Sequence, residues 1–115
     1  MSIRQERIAN IFQEEISKII SEEVKDEKIK LASITHVDVS SDLSYAKVYF
    51  STLNEENKND ILKSLDKASG FIRSRLCDRV DNLRHIPELT FLYDESIAYG
   101  IKIEDIIDKI NEENN

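Results

Sequence analysis

Lys67-Ala68-Ser69-Gly70-Phe71-Ile72-Arg73-Ser74-Arg75-Leu76 joins three features that phosphate recognition uses. Gly70 is one of only two glycines in 115 residues, and it falls inside a helical pattern. An isolated glycine costs a helix about 1 kcal/mol relative to alanine, so it marks a kink or a close backbone approach. A kink here would expose backbone amides beside Lys67, Arg73 and Arg75. Amides next to cations suit a phosphate chain, and arginine adds a planar fork that bonds two oxygens at once. The plainer alternative is a corner between two helices that binds nothing.

Further basic residues extend this stretch. Lys63 and Lys67 are four apart and share a helix face, while Arg75 and Arg79 flank one edge of the Ile72–Leu76–Val80 stripe and Arg73 flanks the other. Arg84 follows in the next connection. The whole chain carries a net charge of -7, which argues against a polyanionic partner, yet the distribution is uneven. Residues 63–85 hold six basic side chains against three acidic ones, and residues 88–115 hold two against eight. Binding follows the local field, because the Debye length is only about 8 Å at physiological salt. Arg4 and Arg7 form a smaller spot at the positive end of the first helix, with simple solubility as the alternative.

Other chemistry is missing. No Gly-rich phosphate loop exists, and no catalytic constellation emerges. Cys77 reads as inert packing on a helix, and a lone cysteine points to a reducing cytoplasm. His36, on the polar side of a strand, and His85, in a loop, lack partners at metal-ligand spacing. The pairs Glu14-Glu15, Glu22-Glu23 and Glu55-Glu56 point about 100° apart and read as solvated faces. No apolar run approaches the ~20 residues that would span a bilayer. The expectation is a non-enzyme with no cofactor, no metal, no small-molecule substrate and no membrane.

The elements that must position the basic stretch follow from periodicity. Ile8, Ile11, Phe12, Ile16, Ile19, Ile20 and Val24 predict an amphipathic helix over residues 3–24, with Ser2 and Gln5 at capping-box spacing. Val37 and Val39 alternate with His36 and Asp38, and Ala46, Val48 and Phe50 with Tyr45, Lys47 and Tyr49. Ser40-Ser41-Asp42-Leu43 joins them as a hairpin. Tyr45 and Tyr49 offer a second, stacking-type surface or cover a neighbouring element. Asn54 predicts a cap for a second helix with Ile61, Leu62 and Leu65 inside, followed by the Gly70 kink and a third helix. After Pro87, Leu89, Phe91 and Tyr93 predict a third strand. Ser96 begins a last helix containing Ile97, Ile103, Ile106, Ile107 and Ile110, and the tail Asn111–Asn115 frays.

Three stretches carry a resemblance. Ser41-Asp42-Leu43-Ser44-Tyr45-Ala46-Lys47-Val48-Tyr49, Ala68-Ser69-Gly70-Phe71-Ile72-Arg73-Ser74-Arg75-Leu76 and Leu83-Arg84-His85-Ile86-Pro87-Glu88-Leu89-Thr90-Phe91 resemble bacterial ribosome-binding factor A, and Asp94-Glu95-Ser96-Ile97-Ala98-Tyr99-Gly100 fits too. The resemblance covers nearly the whole chain. It implies an α+β fold: one KH-like type II domain over residues 1–115, α-β-β-α-kink-α-β, with an added C-terminal helix and a three-stranded mixed sheet. The third strand would lie beside the first and parallel to it. KH modules clamp nucleotide backbone with a Gly-x-x-Gly loop; the family replaces it with an Ala-x-Gly kink, here Ala68-Ser69-Gly70. Longer members carry a C-terminal arm, and this chain stops at Asn115.

The resemblance also implies a function. The family binds the immature small ribosomal subunit, assists late maturation of its ribosomal RNA and supports growth in the cold. The expected protein is a cytoplasmic monomer without catalytic activity. The expected RNA-binding residues are Arg73, Arg75 and Arg79 as the main cluster, Lys63, Lys67, Ser69, Gly70 and Arg84 around it, and Arg4 and Arg7 apart. The rival is an acidic protein-interaction adaptor that uses the open sheet face or the final helix and touches no RNA.

Overall fold

A computed structural model describes residues 2–80 and 85–95. Helix α1 spans Ile3–Glu22 and begins with the expected capping box. The Gln5 backbone N–H donates to Ser2 Oγ at 3.1 Å, and the Ser2 N–H donates to Gln5 Oε1 at 3.1 Å. Two first-turn donors thus gain partners without burial. Strand β1 covers Ser33–Val39 and strand β2 covers Tyr45–Ser51. They pair antiparallel, with a register irregularity between Ile34 and His36. Asp42 organises the intervening turn, accepting from Ser40 Oγ at 2.8 Å and from the Ser44 N–H at 3.1 Å. Those bonds hold its carboxyl below the ordinary range, the Ser40 hydroxyl contributing most. Leu43 closes the turn in the left-handed region at φ 62°.

Asn54 caps a 3-10 turn, Glu55–Asn57, rather than the long helix itself: its side chain accepts from the Glu56 N–H. Helix α2 then runs from Lys58 to Arg79 without interruption. This corrects the expectation of separate second and third helices. Gly70 has no positive φ and separates no two helices. Ile61, Leu65, Ile72 and Leu76, on both sides of it, are fully buried. Four such side chains are worth about 6–12 kcal/mol of burial, which outweighs the ~1 kcal/mol propensity cost of one glycine.

Strand β3, Glu88–Tyr93, lies beside β2 and parallel to it, so the sheet order is β1-β2-β3. The expectation that it lies beside β1 is corrected. The Glu88 N–H donates to Ser44 O at 2.9 Å and the Asp94 N–H to Phe50 O at 2.7 Å, extending the pairing at both ends. Helix α1 serves β1 instead. Gln5 Nε2 donates to Val39 O at 3.0 Å and Gln13 Nε2 to Thr35 O at 3.2 Å. Side-chain donors on strand carbonyls blunt a sheet edge against further pairing.

Both helices pack on one face of the sheet. Phe12, Ile16 and Ile19 of α1 and the buried face of α2 meet Val37, Val48, Phe50 and Phe91 in a single core. The mixed α+β, KH-like architecture with a three-stranded mixed sheet is therefore borne out. The expected final helix from Ser96 onward and its tail lie outside the described residues, as does Arg84.

Candidate nucleic-acid interface

The buried stripe of α2 dictates where its other side chains go. At 100° per residue, Lys63, Lys67, Gly70, Ser74 and Cys77 fall opposite Ile61, Leu65, Ile72 and Leu76. Lys63, Lys67, Gly70, Ser74 and Cys77 are all exposed. Cys77 is thus corrected from packing residue to surface residue. Its position one residue past Leu76 turns it off the apolar stripe. Lys63 and Lys67 make no ion pair or hydrogen bond among the described residues. A Cβ added at Gly70 would meet nothing within 4 Å. The middle of this face is therefore bare backbone that a partner can approach closely. Ser69 is turned partly inward, its hydroxyl donating to Asp66 O at 2.9 Å.

The three arginines have structural partners. Arg73 reaches the connection before β3: its Nη2 donates to Ile86 O at 2.8 Å, and its Nε lies 3.2 Å from both Ile86 O and Pro87 O. Carbonyls orient a guanidinium without neutralising it, so Arg73 keeps its field. Arg75 and Arg79 lean the other way, towards α1. Arg75 Nη2 lies 2.5 Å and its Nε 3.0 Å from Glu23 Oε1, and its Nη1 lies 3.2 Å from Asp78. Arg79 meets Glu15 at 3.1 Å, Glu23 at 3.3 Å and Glu22 at 3.4 Å. The Arg75 guanidinium, through its hydrogen bonds, holds the Glu23 carboxyl below its ordinary value. Glu15 in turn raises Arg79, and Glu23 raises Arg75.

Reading those glutamates as merely solvated missed this network. Glu15 and Glu22 are seven apart, two turns along one face of α1, which was the available signal. Their partners lie more than 50 residues away and were not legible. Phe71 was missed too. It is turned 100° from Ile72 and stands one turn from Lys67, with 48% of its surface exposed. Arg4 and Arg7 are exposed at the start of α1, roughly 12 Å or more along the axis from Glu15 at 1.5 Å per residue. They form a separate spot.

Among the described residues no group of three His, Cys, Asp or Glu side chains is placed to hold a metal ion. No described helix is long and apolar enough to cross a membrane. What α2 presents is a lysine-bearing surface, open at Gly70, with oriented arginines on both flanks.

Known proteins resemble this chain in sequence and in fold. A family model described as ribosome-binding factor A matches residues 4–107. The protein named ribosome-binding factor A in Macrococcus caseolyticus is 44% identical over 112 residues, covering 96% of this chain and 97% of that one. The crystal structure of ribosome-binding factor A from Thermus thermophilus shares the fold, with a TM-score of 0.68 at 24% identity over 77% of this chain and 93% of that one. A homology model of the Thermus thermophilus protein, fitted into the cryo-EM map of a 30S–RbfA complex, aligns with a TM-score of 0.59 at 25% identity. It covers 84% of this chain and 97% of that one.

Proposed function

The chain belongs to the ribosome-binding factor A family, and on that premise we propose that it binds the immature small ribosomal subunit through ribosomal RNA and assists late maturation of that RNA. The observation that carries the reading is identity of 44% across nearly the full length of a protein so named. The relative seen in a 30S complex supports the choice of partner.

The exposed surface of α2 is the RNA-facing side. Lys63, Lys67 and Arg73 supply charge, and Gly70 with Ser69 behind it lets RNA backbone come close. Arg75 and Arg79 join at the flank by exchanging carboxylate for phosphate oxygens, two acceptors of similar geometry. Arg84, outside the described residues, is included from its place in the sequence alone, and Arg4 and Arg7 make a smaller, independent contact. Binding energy does the work, with no catalytic step and no cofactor. A protein that prefers one RNA conformation shifts the population towards it, and leaves when maturation removes the preference. Such a bias matters most in the cold, where misfolded RNA escapes its barriers slowly. The protein acts in the cytoplasm as a monomer.

Co-sedimentation of the purified chain with immature small subunits across a salt series tests this. Phosphate contacts by Lys63, Lys67 and Arg73 give a log–log slope of about -2.1 to -2.7, so affinity falls roughly 20- to 40-fold between 50 and 200 mM salt. Absence of co-sedimentation refutes the proposal. Co-sedimentation that ignores salt identifies the adaptor instead, which would dock through a mainly apolar surface.

A further inference from the structure

Phe71 takes no part in the core that α2 builds. Its neighbours Ile72 and Leu76 are fully buried, while nearly half of its own surface stays in solvent. On the helix surface the residues one turn away are Lys67 before it and Ser74 and Arg75 after it. Gly70, next in sequence, carries no side chain, and the space where a Cβ would stand is open. Lys67 makes no ion pair among the described residues, whereas Arg75 is held by Glu23 at 2.5 Å and by Asp78 at 3.2 Å and must exchange them to reach a phosphate. Asp66 lies on the opposite flank of the exposed surface, with Lys63 and Lys67 between.

An exposed aromatic ring with a lysine, unpaired among the described residues, one turn before it and an arginine, paired with Glu23 and Asp78, one turn after it matches the way single-stranded RNA is held once the arginine trades carboxylate for phosphate. The base stacks on the ring and its phosphates meet the cations. We propose that Phe71 is a nucleobase-stacking site, on which an unpaired base lies while the flanking phosphates reach Lys67 and Arg75. This rests on the RNA-binding reading above and narrows its target to an unpaired nucleotide, because a base inside a duplex has no free face to offer. A hydrophobic pocket on a partner protein would also accept a phenylalanine, but the cations on either side favour RNA.

The test uses the full chain, isolated small subunits, and a short single-stranded RNA carrying 2-aminopurine, whose fluorescence is quenched on stacking. Phe71→Leu keeps an apolar side chain and removes the aromatic face; Phe71→Trp keeps the face. Expected is a loss of RNA affinity of about 5- to 150-fold for Phe71→Leu, the range a stacked base is worth, with Phe71→Trp close to the parent. Parent and Phe71→Trp should quench 2-aminopurine, and Phe71→Leu should not, while all three share one urea midpoint. If Phe71→Leu binds like the parent and a Lys63→Glu, Lys67→Glu double variant does not, stacking is overturned and the RNA reading stands. If Phe71→Trp loses subunit binding as fully as Phe71→Leu and the parent's binding ignores salt, the ring enters a protein pocket and the proposal falls. A parent that binds neither probe overturns both readings.

Discussion

Replacing Gly70 with alanine separates two reasons for having a glycine in the middle of α2. The backbone there is ordinary helix, without positive φ, and an added methyl would meet no atom within 4 Å. Alanine therefore meets no steric penalty and gains the full propensity difference, about 0.8–1.0 kcal/mol. Part of that gain comes from the unfolded chain, which has fewer conformations to lose. For a domain of this size the expected rise in melting temperature is roughly 4 °C. In urea the midpoint should move up by about 0.5 M at an m-value near 2 kcal/mol/M, with the slope unchanged. A lower midpoint would refute the reasoning, because it would show strain at Gly70 that the helix geometry does not contain. The same protein should then be titrated with small subunits. If RNA backbone packs against Gly70, the methyl stands in its way and affinity falls although the fold is more stable. A variant that is both more stable and equally tight would show that the glycine serves neither geometry nor binding.

Glu23→Gln should tighten binding to small subunits, since Arg75 and Arg79 lose a competing carboxylate; weaker binding would mean that Glu23 positions them for RNA instead. The same substitution tests a pH effect: Glu23 titrates lower in the folded chain, so its stabilisation is complete above the ordinary glutamate value of about 4.3 and is lost as pH falls through the lower folded value. Urea midpoints from pH 6 to 3 should therefore fall less in Glu23→Gln than in the parent, and parallel curves would contradict the pairing. Arg73→Lys should lower stability by about 1–2 kcal/mol in a urea melt, because one ammonium cannot span the carbonyls of Ile86 and Pro87 as the guanidinium does; an unchanged midpoint would show that the tether carries no stability. Cys77, exposed on the same side of α2 as Gly70, should be alkylated several-fold more slowly in the presence of small subunits, and an unchanged rate would place the interface elsewhere.

Local chemistry was legible in the sequence wherever near neighbours decide the outcome. The capping box set the start of α1, the alternation around Val37 and Val48 set the hairpin, and the spacing of Ile61, Leu65, Ile72 and Leu76 set the inner side of α2. Each depends on interactions within a few residues and on a fixed period, so no knowledge of distant chain is needed. Gly70 was legible as an anomaly but not in its consequence, because the burial on both sides of it is a tertiary quantity that overrides propensity. Tertiary structure alone decided that β3 joins β2, since either neighbour of a parallel strand yields the same local pattern. It also decided the fate of the arginines. A guanidinium on a helix edge reads the same in sequence whether it faces solvent, a carbonyl or a glutamate more than 50 residues away. Only the packing of α1 against α2 turned Arg75 and Arg79 towards Glu15 and Glu23 and left Lys63, Lys67 and Phe71 facing outward.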